Sequence, residues 1–371
     1  MNLRRVNTCK TLALAVLLAS FSLGCGDGEY SPDPARPGPP APVADDLSVS
    51  DPNDSAVTAL NLTTSLEYDA GTGNLRVFAL VKDQVGSPLL GLNKHNFSLV
   101  LSPSAAPMTV SPDAVNLTTE AADERVVALV IDSSGSMESP VESGSAVTRM
   151  EAAKAAARLY VSLLEPGDRA AIVTFASDAR TVQPLTADKD LLLRAIDTLS
   201  PTTATNFGAA MSQAVAAVGT RPGRRAAVLL TDGDDTVDTV TGGPSAWLGN
   251  ADSTRNQGLE ACVLNDLRLY TVGLGTDLSQ TGLGDLTAIA AETGGSFFQV
   301  TSAAALTTAF GTTIPNEIGG LEPVETYVLT LPSPIAPVAG QTRTGNLGVS
   351  VSYQNANGLL TDYSSGTYQV P

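Results

Sequence analysis

Apolar positions follow two rhythms along the chain, and the change between them divides it. From about Leu47 to Thr119 the period is two. Leu75, Val77, Ala79 and Val81 fall on one face after the Gly71-Thr72-Gly73-Asn74 turn, and Phe97, Leu99 and Leu101 repeat the pattern. The same alternation returns near the end, in Tyr327, Leu329 and Leu331 and again in Leu347, Val349, Val351 and Tyr353. Alternation of this kind predicts strands with one buried face. Neither set is long enough to bury a good core alone, so the two are expected to pair into one antiparallel β-sandwich with the intervening segment inserted between them.

That segment, about Arg125 to Leu321, reads as apolar runs separated by helical stretches, the pattern of a doubly wound, mostly parallel α/β sheet with helices on both faces. Six strands are predicted, over 126–132, 170–175, 180–182, 225–232, 269–275 and 296–300. Helices are predicted over 148–164, 188–199, 207–218, 252–265 and 283–292. In the first of these, Met150, Ala153, Ala157, Val161 and Leu164 fall at three-and-four spacing before the Pro166-Gly167 stop. The division expected is an export signal over 1–24, a Pro-rich linker over 25–46, sandwich strands over 47–122, the α/β domain over 123–321 and the remaining strands over 322–371.

Charge narrows the partners. The 371 residues carry 21 Lys and Arg against 38 Asp and Glu. Removing the first 24 residues takes away Arg4, Arg5 and Lys10 and no acid, leaving 18 bases and a formal charge of −20. Such a surface repels phosphate backbones, which argues against nucleic acid, and attracts divalent cations.

At the N-terminus, basic Arg4, Arg5 and Lys10 precede an apolar run from Thr11 to Phe21, the layout of an export signal and too short to span a bilayer. Ser22-Leu23-Gly24-Cys25 follows, and it resembles the lipobox of bacterial lipoproteins, with Ser22 standing where that motif usually has Leu. The resemblance implies acylation of Cys25, a membrane contact through that lipid and a bacterial cell-envelope location. Gly26 after Cys25 is compatible with sorting onward to an outer membrane or the cell surface. The prolines between residues 32 and 42 then form an extended tether. With Cys9 removed and Cys25 lipidated, Cys262 is left without a disulfide partner, and its apolar helical setting predicts a buried small side chain.

Two apolar strands of the central segment end in aspartate, at Asp132 and Asp232, and open α/β sheets bind ligands outside the carboxyl ends of their strands. Hydroxyls crowd after the first: Asp132-Ser133-Ser134-Gly135-Ser136. This Asp-x-Ser-x-Ser run after an apolar strand resembles the signature of the von Willebrand factor type A domain. Thr205, in Thr203-Ala204-Thr205-Asn206-Phe207-Gly208, is similar to that family's second-loop threonine, and Asp232, before Gly233, to its third-loop aspartate. The resemblance implies a metal-ion-dependent adhesion site in which Ser134, Ser136 and Thr205 bind Mg²⁺, or Mn²⁺ or Ca²⁺, while Asp132 and Asp232 hold it directly or through water. Mg²⁺ is a hard cation that takes oxygen donors, which is what these side chains offer. Only two of the five are anionic, so a coordination position stays attractive to an Asp or Glu of a partner protein, the way the family's adhesion domains capture ligands.

The remaining acids Asp234, Asp235 and Asp238 do not have EF-hand spacing and are expected to form a solvated loop. Trp247, in a loop near the third segment, could anchor a ligand or cover the domain edge. Enzymes fit poorly. His95 is the only histidine and lies among the sandwich strands, no Gly-x-Ser-x-Gly or Ser-x-x-Lys occurs, and the His and Cys ligands of zinc are nearly absent. The reading is therefore a non-enzymatic, lipid-anchored adhesion protein. The alternatives are an envelope structural or assembly protein without a cation-dependent ligand and, further off, a Mg²⁺-dependent hydrolase.

Overall fold

The computed structural model describes residues 50–51, 55–102, 108–120 and 122–371. The expected export signal, Cys25 and the expected Pro-rich linker lie outside these residues. Among the described residues no helix is long and apolar enough to cross a membrane.

Two compact units emerge: one from the residues up to Glu120 together with Thr326–Pro371, the other from the span between them. The chain begins the outer unit with β1 (Ser50–Asp51), β2 (Leu60–Asp69), β3 (Asn74–Asp83), β4 (Phe97–Ser102), β5 (Met108–Val110) and β6 (Asn116–Glu120). The inner unit follows with β7 (Arg125–Asp132), helix α1 (Arg149–Ser162), β8 (Arg169–Phe175), β9 (Ala179–Thr186), α2 (Lys189–Asp197), α3 (Phe207–Val218) and β10 (Arg224–Thr231). It continues through α4 (Pro244–Trp247), α5 (Thr254–Leu264), β11 (Arg268–Leu274), α6 (Gln280–Thr293), β12 (Phe297–Val300), α7 (Ala303–Thr308), a π-helical turn (Ala309–Thr313) and α8 (Ile314–Gly319). The outer unit then closes with β13 (Thr326–Pro332), β14 (Arg343–Asn355) and β15 (Gly358–Val370).

In the outer unit the late strands complete the early ones. β13 lies between β3 and β6 in a four-stranded antiparallel sheet, and β14 lies between β4 and β15 in the second sheet. The alternating apolar positions meet across these seams: Tyr327, Leu329 and Leu331 oppose Ala79, Val77 and Leu75, while Leu347, Val349 and Val351 oppose Leu101, Leu99 and Phe97. All of them belong to one buried core. Each such Leu or Val contributes about 1.5–3 kcal/mol by leaving water, and nearly half of that burial arrives with the last 46 residues.

The inner unit is a six-stranded sheet in the order β12-β11-β10-β7-β8-β9, parallel except for β9. Burial on both faces explains the unbroken apolar runs. In β7, Val127, Leu129 and Ile131 point into the core beneath α1 and α2, whereas Val126, Ala128 and Val130 point into the core beneath α3, α5 and α6. From β7 the chain proceeds to β8 and β9 on one side, then returns to build β10, β11 and β12 on the other. The reversal opens a crevice at the carboxyl ends of β7 and β10, the place where such sheets accept ligands.

Candidate functional site: three loops at the sheet reversal

Asp132 is the last residue of β7, and the register that sets Ile131 beside Leu230 brings it next to Thr231 at the end of β10. Its carboxylate is wholly buried. Oδ2 accepts from the Thr231 hydroxyl at 2.5 Å and Oδ1 from the Ser134 amide at 2.6 Å. Burial pushes this carboxyl up to about 7, and the neighbouring Asp232 charge adds to the rise, against the pull of the Thr231 and Ser134 hydrogen bonds. A positive charge at this point would relieve both effects.

From Asp132 the hydroxyls lead across the crevice. Ser134 Oγ lies 3.0 Å from Ser136 Oγ, which donates to Asp232 Oδ1 at 2.7 Å. Gly233 follows, and a Cβ placed on it would stand 3.7 Å from Ser136 Oγ and 3.8 Å from Thr205 Oγ1, so both oxygens lie beside this glycine. The structure thus gathers all five residues singled out in the sequence around one crevice. Among the described residues no trio of His, Cys, Asp or Glu is placed to hold a metal. The donors here are two carboxylates and three hydroxyls, a set suited to a hard oxygen-seeking cation.

Backbone hydrogen bonds tie the three contributing loops together. The Thr202 amide and hydroxyl both donate to Ser133 O, at 2.5 and 2.9 Å, and the Gly135 amide donates to Thr203 O at 3.2 Å. On the other side the Thr205 amide donates to Thr236 Oγ1 at 2.8 Å, and Thr205 O accepts from the amides of Thr236 and Val237. Asn206 then caps α3 by accepting from the Ala209 amide at 2.9 Å. Beside the loops lies a cavity of about 290 Å³ whose lining includes Ser133, Ser177, Arg180, Ser200, Thr202 and Thr203.

Arg149 was missed by sequence reasoning. It sits at the first position of α1, buried, and its Nη1 donates to Asp232 Oδ2 at 2.6 Å while Nη2 donates to Asp277. A signal was available. A cation in the first helical turn opposes the helix dipole, so an arginine directly after the Thr148 cap implies carboxylate partners elsewhere.

The acidic loop corrects a second expectation. The carboxylates of Asp235 and Asp238 are not solvated; they are buried around Arg255, with Nε at 3.6 and 3.3 Å. Burial alone would raise Asp238, but the amides of Arg255 and Val240, the Ser253 hydroxyl and the Arg255 charge outweigh it and hold the carboxyl at about 2. Burial raises Asp235, against the amides of Asp238 and Val237. Trp247 is likewise not a surface anchor. It is fully buried in α4, donates from Nε1 to Asp285 Oδ1 at 2.7 Å and carries the Arg255 guanidinium 5.5 Å from its ring centre. Arg255, too, stands in the first turn of its helix. Cys262 is buried, and burial pushes its thiol far above the usual range.

Residues 127–234 match the family model of the von Willebrand factor type A domain. A UPF0353 protein of Mycobacterium avium is 32% identical over 144 residues, 36% of this chain and 42% of that one, so the match spans about two fifths of the relative's length. Among solved structures, a von Willebrand factor type A protein from Catenulispora acidiphila is similar at 18% identity over 87% of this chain and 74% of its own, with a TM-score of 0.45. An aerotolerance-related membrane protein from Bacteroides fragilis matches at 20% identity over 53% of this chain and 100% of its own, with a TM-score of 0.42. The domain of a type V pilus tip protein from Porphyromonas gingivalis matches at 18% over 53% and 96%, with a TM-score of 0.39. Residues 127–234, which carry the Asp132-x-Ser134-x-Ser136 loop within the doubly wound sheet, are thus similar to a von Willebrand factor type A domain.

Proposed function

We propose that the crevice holds a divalent cation, Mg²⁺ or in its place Mn²⁺ or Ca²⁺, and that the chain is a binding module rather than an enzyme, capturing an Asp or Glu side chain of a partner protein through that ion. The observation that carries the reading is the convergence of Asp132, Ser134, Ser136, Thr205 and Asp232 where the sheet reverses. The residues fit such an ion. Two buried carboxylates repel one another and the hydroxyls supply neutral oxygens, so a dication lowers the energy of the carboxylates without being saturated by them. When bound, the ion supplies a Lewis-acid position for an external carboxylate. The protein's part is to fix the five donors through the hydrogen bonds among the three loops and to offer Arg180 and the hydroxyls of the adjoining cavity to whatever flanks the captured carboxylate.

The same proposal places the protein in the bacterial cell envelope, tethered by lipid on Cys25, with an acidic surface that disfavours nucleic acid. Titration calorimetry with Mg²⁺ and Mn²⁺ tests the ion: the wild type gives a saturable isotherm and Asp132→Ala gives none. Capture from envelope extract with and without chelator, with Asp132→Ala as the blank, tests the partner. Equal capture in all conditions would favour a structural role in the envelope instead.

A further inference from the structure

Both carboxylate oxygens of Asp232 are already engaged within the fold. Oδ1 accepts from Ser136 and Oδ2 from Arg149, whose side chain is only 8% exposed. The other arm of that guanidinium pairs with Asp277, which is 65% exposed in the loop after β11. Gly275 lets this loop lie flat on the arginine. Its φ is +92°, and a Cβ there would meet the guanidinium at 3.3 to 3.5 Å. One buried cation is thus shared between a cation-site carboxylate and a carboxylate at the surface.

We propose that Arg149 is a built-in counter-cation that sets how tightly the crevice holds a divalent ion, and that Asp277 sets how strongly Arg149 opposes that ion. The proposal rests on the cation reading above. Arg149 sets a positive charge against a carboxylate of the crevice from inside the fold, its Nη1 2.6 Å from Asp232 Oδ2. A guanidinium does not lose its proton in proteins, so it cannot step aside by titrating. An arriving dication therefore binds against its field. Asp277 draws off part of that field, which makes the exposed carboxylate a tuning point some distance along the chain from any proposed ligand.

Three variants of the full chain test this, with Mg²⁺ and Mn²⁺ as probes in calorimetry and in thermal melts with chelator or saturating ion. Arg149→Gln keeps a hydrogen-bond donor and removes the charge. It binds the ions about tenfold more tightly than wild type, the size expected of one unit charge acting on a dication in well-screened surroundings. It also melts below wild type in chelator, by a margin that shrinks in saturating ion. Asp277→Asn binds about threefold more weakly, the smaller effect of an exposed charge. Arg149→Lys stays near wild type. Arg149→Gln with unchanged or weaker affinity, or Asp277→Asn with unchanged or tighter affinity, overturns the proposal, and the Asp277 variant decides alone if Arg149→Gln does not fold. A wild type without ion binding beside an Arg149→Gln that binds would overturn the cation reading for the native chain and support the counter-cation; no binding in either overturns both.

Discussion

At the scale of single residues, the buried charges of the inner unit act as fasteners for the loops that form the crevice. Asp235 accepts from the amides of Phe207, Val237 and Asp238, and Asp238 from those of Val240 and Arg255, so both carboxylates hold the segment against which Thr205 is hydrogen-bonded. Asp238, held at about 2 against an ordinary 3.8, is depressed in the folded state. Its contribution is therefore fully present above about pH 4 and disappears as pH falls through about 2; at neutral pH it amounts to about 1–2 kcal/mol. Urea unfolding of wild type and Asp238→Asn between pH 2 and 6 should show a stability gap that is widest at pH 5–6 and closes near pH 2. A gap independent of pH would show that the charge is not what matters. Arg255→Met should do more damage, about 3–5 kcal/mol, because it leaves Asp235, Asp238 and Asp285 buried without their shared cation. Chemical denaturation at pH 7 measures it. These fasteners were hard to read from sequence, since the acids Asp234, Asp235 and Asp238 look like a solvated run and Arg255, the partner of Asp235 and Asp238, lies 20 and 17 residues further on. The unfavourable place of both Arg149 and Arg255 in first helical turns was the residue-level clue.

At the scale of elements, periodicity carried the reading wherever burial was simple. The alternating positions of β3, β4, β13 and β14 are the ones that meet in the sandwich core, and the unbroken runs of β7, β8, β10 and β11 are the strands covered on both faces. Where the pattern was disturbed, the reading fell short. β9 was expected over only three residues, 180–182, but runs from Ala179 to Thr186. Pro184 and a shift of register opposite Ile172 interrupt its rhythm, and both are tolerated because β9 is an edge strand paired on one side only. Helices α7 and α8 and the π turn between them were not expected. Ala303, Ala304 and Ala305 with Thr307 and Thr308 give little apolar period, and Gly311 and Pro315 read as breakers. Packing of Leu306, Phe310, Ile314 and Ile318 on the sheet supplies what the local pattern lacks. Close packing also fixes Gly208, inside the Thr205 motif. A Cβ there would stand 2.2 Å from the Thr254 carbonyl oxygen at the start of α5, which is backbone and cannot rotate away. Gly208→Ala should therefore cost about 1–3 kcal/mol and loosen the α3–α5 contact, whereas Gly319→Ala, with open space around it at the end of α8, should be neutral or slightly stabilising. Thermal melts of the two variants side by side distinguish a steric effect from a general intolerance of alanine.

At the scale of the molecule, the chain is built so that its outer unit depends on both of its ends while its inner unit is continuous. β13 fills the interior of one sandwich sheet and β14 pairs along β4 and β15 in the other, so residues 55–120 alone would leave an edge of β3 and an edge of β4 unpaired. The inner sheet needs no strand from outside residues 122–325. Truncation before Thr326 should consequently abolish the sandwich and spare the inner fold. Calorimetry of the full chain should show heat absorption from both units, and the truncated chain only that of the inner one. Because the five residues proposed to hold the ion and Arg149 all lie within the inner unit, the cation proposal predicts that the truncated chain titrates Mg²⁺ with the affinity of the full chain. Loss of ion binding on truncation, with the inner unit's melting transition intact, would mean that the crevice depends on the outer strands in a way that none of the hydrogen bonds around Asp132, Thr205 and Asp232 requires.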